Sequence, residues 1–397
     1  MGESEMKILA VSYDVPRPDQ TSGELRFFTL LSLLTRSHKM SFYSKDQHIL
    51  PEPDTAAENL RLLGIQIEKG SFEHLLQHTN FDVVFFEFYF VANGLLDLVR
   101  AWQPNARIVV DSVDVHFHRL RSKARLTGLL TDRDYAETVC NSELSVYRKA
   151  DLVLTVSEDD SRILRDEGLE SDIDVIPNIH VMHPLVSHHW SDRLELIFIG
   201  SYKWAPNTDA IIYFCQEVLP ILRKIIPQLR LRIVGSAPTD EIRALASEDI
   251  TVVGFVPETT SYLLSSDISI APLRYGGGIK GKIGEALAHG LPVVTTSIGS
   301  EGFGFQVGKD VLVGDTPQAF AEAIVTLWRD RSLYDSVRKN GWGYINDRYS
   351  IQAVDHLITP IFERLSMCTA KRLSLIKRTK MLVPHYLNKH VLWRFKA

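Results

Sequence analysis

The chain has 397 residues, enough for roughly two to three domains, each with its own core. Its composition, 45% hydrophobic and 23% charged, is that of a soluble globular protein. A formal net charge of −5 argues against a general nucleic-acid binder. The three cysteines, Cys140, Cys215 and Cys368, form no CxxC pair and fit a reducing compartment, as small buried apolar groups. The apolar run 6–11 follows Glu3 and Glu5, the wrong charge for a signal peptide. No apolar stretch approaches about 18 residues without interruption; the nearest, 81–99, is broken by Glu87, Asn93 and Asp97. The expectation is a cytoplasmic protein that meets a membrane, if at all, from the inner surface.

In chain order, 7–12 reads as a strand, 25–35 as a helix and 40–43 as a second strand. The continuous apolar runs 81–86 and 106–111 are typical of strands buried on both faces. Strands at 151–156 and 173–176 close this series. Pro177-Asn178 and the stretch 183–191, with His188-His189, read as a linker. A second series follows, with strands at 194–199, 229–234, 250–253, 268–271, 292–296 and 311–313, and helical periods such as 209–226 and 261–266. The fold class is therefore α/β, with two doubly wound Rossmann-like domains facing a cleft. The expected boundaries are 1–186 for the first domain, 187–350 for the second and 351–397 for a helical, basic tail that partly crosses back.

The strongest local signal is Gly276-Gly277-Gly278-Ile279-Lys280-Gly281-Lys282-Ile283-Gly284-Glu285, which follows the 268–273 apolar run and opens a helix. Strand, glycine loop and helix is a phosphate-holding arrangement. Glycines permit close backbone approach, and the helix start offers unpaired N–H groups and a positive dipole end. Gly276, Gly281 and Lys282 satisfy a Walker A spacing, but Ile283 stands where Mg²⁺ needs a hydroxyl. Asp132-Arg133-Asp134 spells DxD in a helix-compatible stretch rather than at a strand end, so no metal site is assigned to it. His116/His118 is the one HxH pair and lacks a third partner nearby.

The second half, over 194–350, resembles the retaining family-4 (group 1) glycosyltransferases of GT-B fold. The resemblance rests on Gly200-Ser201-Tyr202-Lys203-Trp204-Ala205-Pro206-Asn207-Thr208-Asp209-Ala210, on Arg232-Ile233-Val234-Gly235 and Gly254-Phe255-Val256, on Ala271-Pro272-Leu273-Arg274 with the glycine loop, and on Glu285 to Val294 followed by Ser300-Glu301-Gly302. The first half matches more loosely, through Lys7-Ile8-Leu9 with Ser22-Gly23-Glu24-Leu25-Arg26, and through Asp111 to His116. The resemblance implies that Glu285 holds the donor ribose. It makes Gly200, Ser201, Lys203, Phe255, Val256, Arg274, Gly277, Gly278, Lys280 and Lys282 donor-binding positions, and Ser22 and Gly23 acceptor-side ones. Lys282, with Asp114 and His116, forms the catalytic set. One departure stands out: Gly277 occupies the place, eight residues before Glu285, where the family commonly has a carboxylate that meets the donor sugar. That work then falls to backbone N–H groups and to Lys280 or Lys282.

The implied reaction moves a sugar from a nucleoside diphosphate sugar to an acceptor hydroxyl with retention, without metal or other cofactor. It belongs with bacterial-type polysaccharide or glycoconjugate synthesis. Its chemical burden is the departing diphosphate, so positive charge and aimed N–H groups matter more than a protein nucleophile. In retaining members of the fold, a leaving-group oxygen is thought to take the acceptor's proton. The alternatives are a nucleotide-sugar 2-epimerase and a non-catalytic sugar-nucleotide-binding subunit, the latter motivated by Gly277. Nucleic acid is not an expected partner; a glycan or lipid-linked glycan acceptor is. The tail 371–397 carries Lys371, Arg372, Lys377, Arg378, Lys380, Lys389, Arg394 and Lys396 among Leu373, Ile376, Leu382, Tyr386, Leu387, Leu392 and Trp393, with no acidic residue. It reads as a segment that packs on the first domain and, beyond Pro384, meets an anionic membrane surface.

Overall fold

The apolar runs form two wholly parallel sheets. In the computed structural model, which describes residues 5–46, 54–187, 190 and 192–390, with side chains described as far as 383, the first sheet has seven strands. They are β1 (Lys7–Ser12), β2 (Lys39–Ser44), β3 (Gln66–Ile67), β4 (Val83–Glu87), β5 (Arg107–Asp111), β6 (Leu152–Thr155) and β7 (Asp172–Val175), in spatial order β3-β2-β1-β4-β5-β6-β7. The second holds β8 (Leu194–Ile199), β9 (Leu229–Val234), β10 (Ile250–Gly254), β11 (Ile268–Ala271), β12 (Val293–Thr295) and β13 (Leu312–Val313), in order β10-β9-β8-β11-β12-β13. Strand order reverses between β1 and β4 in one sheet and between β8 and β11 in the other. Ligands of doubly wound sheets sit at the carboxyl ends of the strands beside such a reversal. The loops after β1, β4 and β5 and those after β8 and β11 meet there.

Helices cover both faces of each sheet, which explains why β1, β4 and β5 are apolar without alternation. The Ser22–Leu34 helix starts three residues before the expected 25, because Thr21 is its cap and accepts a bond from Glu24 N at 3.2 Å. The helical period at 209–226 begins earlier, at Ala205 with Pro206 in its first turn, and passes through a π-helical turn at Phe214–Val218.

The chain crosses between domains twice, side by side. His180 N donates to Tyr349 O at 2.8 Å, and His180 pairs with Ser350 in a parallel bridge. From there the Ile351–Met367 helix lies on the first domain and buries Val354, Ile358, Ile361, Phe362 and Leu365 in its core; the Phe85 and Phe362 rings meet edge-on at 5.8 Å. Five such side chains, at about 1.5–3 kcal/mol each, fasten the helix there. Beyond it, Lys371 N donates to Asp151 Oδ1 at 2.6 Å, Arg372 to Asn105 at 2.7 Å and Arg378 Nε to Ala101 O at 2.7 Å. These three basic residues are thus engaged by the first domain. Tyr386, Leu387, Lys389, Leu392, Trp393, Arg394 and Lys396, with His188-His189, lie outside the described residues and side chains.

The first crossover is anchored by a buried charge. Arg26 is fully buried; its Nη2 donates to Ile176 O at 2.8 Å, its Nε to Pro177 O at 3.1 Å and its Nη1 to the Asp111 carboxylate. One guanidinium thus ties the first helix, the end of β5 and the crossover segment together.

Candidate active site in the cleft

A cavity of about 360 Å³ opens between the domains. Its second-domain wall is made by the ends of three adjacent strands: Gly200 and Ser201 after β8, Val234 to Ser236 at β9, and Phe255 to Thr260 after β10. Gly281 and Glu285 on the Gly281–Ala288 helix complete that wall, and 18–22 and Leu25 of the first domain face it. Of the residues singled out in the sequence, Ser22, Gly200, Ser201, Phe255, Val256 and Glu285 are therefore on one surface. The helix carries no side-chain cap, since Lys280 at the cap position makes no such bond. Ile283 N donates back to Lys280 O at 2.9 Å, and the helix start presents the positive end of its dipole to the cavity. Only glycine fits at 281: a Cβ there would stand 2.2 Å from Ser22 Oγ.

Glu285 lies one turn into this helix. Thr259 Oγ1 donates to its Oε1, and burial pushes its carboxyl above the usual range against the pull of that bond and of Lys282. Lys282 sits behind the wall, beneath the Gly200 turn. Its Nζ donates to Asn207 Oδ1 and stands 4.6 Å from the centre of the Phe198 ring, and a Cβ at position 200 would fall 3.2 Å from it. Burial lowers its pKa to about 7, although Glu285 works against this. Beneath the turn, then, stands a lysine whose charge is disfavoured by burial.

Several singled-out positions lie elsewhere. Lys203 and Arg274 line a separate groove with Asp209, Tyr213 and Glu217. Arg274 is engaged by Asp209, Nε to Oδ2 2.9 Å, and stacks over Tyr213 at 5.0 Å, so its charge is already spent. Lys280 points into the seam between domains, buried, with Nζ 3.5 Å from Glu301 Oε2, while His118 Nε2 meets Glu301 Oε1 at 3.0 Å. Gly277 and Gly278 are pressed on the first domain: Cβ atoms there would fall 2.9 Å from Arg119 Cβ and 2.8 Å from Asp114 Cβ. Arg119 therefore fills the space that a longer side chain at 277 requires. Gly23 packs beside Val113.

Asp114 and His116 stand across this seam, at the end of β5. His116 Nδ1 is 3.2 Å from Asp114 Oδ1 and 3.8 Å from Glu143 Oε1; Arg119 Nε is 3.2 Å from Asp114 Oδ2. Sequence reasoning assigned no part to Asn207, Thr259, His180, His183 or Glu143. His180 and His183 line the cavity, and the His183 ring stacks on His289 at 3.8 Å. His180 is wholly buried, which lowers its pKa to about 4, and its Nε2 would lie 2.0 Å from any Cβ at Gly284. Only Asn207 carried a local signal, inside the Pro206-Asn207-Thr208-Asp209 run; the others come together through topology alone.

Residues 193–330 match the family model described as glycosyl transferases group 1. This part of the chain is similar to the group 1 glycosyltransferase domain that the model describes. Over most of its length the chain is similar in structure to Anabaena HepE, solved with UDP and glucose, at a TM-score of 0.66, 15% identity, and coverage of 92% of this chain and 100% of that one. It is similar also to the sucrose-phosphate synthase of Thermosynechococcus elongatus, at a TM-score of 0.68, 14% identity, and coverage of 90% and 99%. At such identities the likeness establishes the fold, which is GT-B. An uncharacterized 44.6 kDa protein in the cps region of Klebsiella pneumoniae is 26% identical over 187 residues, 45% of this chain and 48% of that protein, so the match spans about half of this relative's length. Among the described residues, no helix is long and apolar enough to cross a membrane.

Proposed function

We propose that this group 1 domain and its partner domain form a metal-independent glycosyltransferase, moving a sugar from a nucleoside diphosphate sugar to a glycan or lipid-linked glycan hydroxyl with retention. The observation that carries the reading is the Gly281–Ala288 helix, which has no side-chain cap and opens on the interdomain cavity with Glu285 one turn in and Gly200-Ser201 on the same wall. The diphosphate sits at the helix start, the ribose on Glu285, and the base along Phe255 and Val256. Lys282 supplies charge to the departing diphosphate in place of a metal ion. The acceptor comes from the Ser22 side, with Asp114 and His116 facing the sugar across the seam. A UDP-bound neighbour and a relative from a cps region support a nucleotide-sugar donor and a role in polysaccharide synthesis. Exposed Leu375 and Ile376 beside Lys377 and Lys380 support contact of the tail with an anionic membrane surface at the inner face.

Glu285→Ala is expected to weaken nucleoside diphosphate binding about ten- to a hundredfold, because a charge-assisted hydrogen bond contributes roughly 1.5–3 kcal/mol. Calorimetry on the folded variant checks it, and an unchanged affinity removes the ribose role.

The arrangement at Gly277, where Arg119 fills the place of the usual carboxylate, favours a second reading as a non-catalytic sugar-nucleotide-binding subunit. Incubation with radiolabelled nucleotide sugars and a crude glycolipid extract separates the two. Transfer of label that survives EDTA supports the proposal. Retained binding without transfer favours the subunit, an epimer without acceptor an epimerase, and complete loss with EDTA a metal-dependent reaction.

A further inference from the structure

The His116–Thr127 helix lacks a cap of its own: Val115 stands at the cap position and makes no capping bond. A buried carboxylate from the next helix, Leu130–Tyr147, supplies it. Glu143, fully buried, accepts His116 N on Oε1 at 3.2 Å and Phe117 N on Oε2 at 3.1 Å. We propose that Glu143 is a positioning residue, which fixes the start of this helix and with it the aim of the His116 ring. The proposal rests on the reading of His116 as a group that meets the reactants.

Three further observations support it. Tyr147, one turn along, donates its hydroxyl to Glu143 Oε1 at 2.8 Å, so the carboxylate cannot swing away. The His116 ring is enclosed by Phe88, Tyr89 and Phe90, met edge-on at centroid distances of 5.9, 5.2 and 5.8 Å. The turns that bring these groups together are strained: Phe88 (φ 65°) and Val113 (φ 59°), just beyond neighbouring β4 and β5, are two of the three non-glycine residues with positive φ among the described residues. Strain of this kind, about 1–3 kcal/mol each, persists where the surroundings impose it and gathers at functional sites. The groups facing the imidazole are Asp114 from its own loop, Arg119 one turn on, Tyr89 from the β4 side, and Glu143 with Tyr147 from the neighbouring helix. Burial works against the charged ring, and Arg119 adds to that. Asp114, and after it the carboxylate of Glu143 3.8 Å away, outweigh them, so the pKa of His116 stands above its ordinary value. Glu143 therefore caps the helix that aims the ring and adds, after Asp114, to its raised pKa.

The test is the His116 titration, read by NMR on protein carrying ¹³C-labelled histidine, its resonance assigned by loss in His116→Gln. The wild-type midpoint should lie above the usual value of about 6.5. In Glu143→Gln it should fall by roughly one unit, as for removal of an opposite charge within about 4–6 Å. A folded Glu143→Gln with an unmoved midpoint overturns the proposal. If that variant does not fold, the wild type decides alone, and a midpoint at or below the usual value overturns it. The measurement needs neither donor nor acceptor. A shifted midpoint in a protein that transfers no sugar leaves the positioning role standing and removes the glycosyltransferase reading.

Discussion

Lys282→Ala is expected to lower kcat about a hundred- to a thousandfold and to weaken donor affinity less than it lowers kcat. Charge on the leaving diphosphate grows as the glycosidic bond breaks, and a preorganised donor aimed at it contributes about 2.7–4 kcal/mol in the transition state. The location of Lys282 gives the effect a pH signature. Its ammonium is buried beneath the Gly200 turn with its pKa lowered to about 7. A bound diphosphate raises that pKa, so binding takes up a proton in the interval between the two values. Affinity for nucleoside diphosphate should then fall as pH rises above about 7, by up to about tenfold per unit, and the slope should vanish in Lys282→Ala. Calorimetry in buffers of different ionisation enthalpy reads the proton directly. Binding that releases a proton, or a slope kept by the variant, would show that another group titrates.

The largest loss of stability is expected from Arg26→Ala. The substitution leaves the Asp111 carboxylate buried without its guanidinium and frees the Ile176 and Pro177 carbonyls at the crossover. Removing one partner of a buried pair costs about 3–5 kcal/mol. The melting of the first domain should drop by several degrees or more, since about 1 kcal/mol corresponds to roughly 2–4 °C in a domain of this size. Arg26→Met paired with Asp111→Leu, which removes both charges, should recover much of the loss. If the single variant melts with the wild type, the charge is not the anchor between the Ser22–Leu34 helix and the crossover.

The α/β architecture and the two sheets were legible because parallel strands buried on both faces leave unbroken apolar runs. Those at 194–199, 229–234 and 268–271 coincide with β8, β9 and β11. β3 was not, because two residues, Gln66 and Ile67, make no run at all. The glycine loop announced the helix start at Gly281, and the motif order placed Gly200 and Phe255 at strand ends of one sheet with Glu285 on that helix beside them. What it could not announce was competition for charges. Arg274 is next to the loop in sequence, but Asp209, on the Ala205–Tyr213 helix, holds it. Lys280, two residues from Lys282, turns to the opposite side of the helix start and meets Glu301. Glu143 lies 27 residues beyond His116, on a stretch that reads as an ordinary polar helix; only the antiparallel packing of two helices makes it a cap.

The most direct test of the account is a thermal-shift measurement of the full chain against UDP-, GDP-, ADP- and dTDP-sugars without added metal. A ligand at a hundred times its Kd adds about 2.7 kcal/mol of apparent stability. The account predicts that at least one nucleotide sugar raises the melting temperature with EDTA present, and that Glu285→Ala reduces the shift. No shift with any of the four families, or a shift that Glu285→Ala leaves intact, would contradict a nucleotide-sugar site in this cleft.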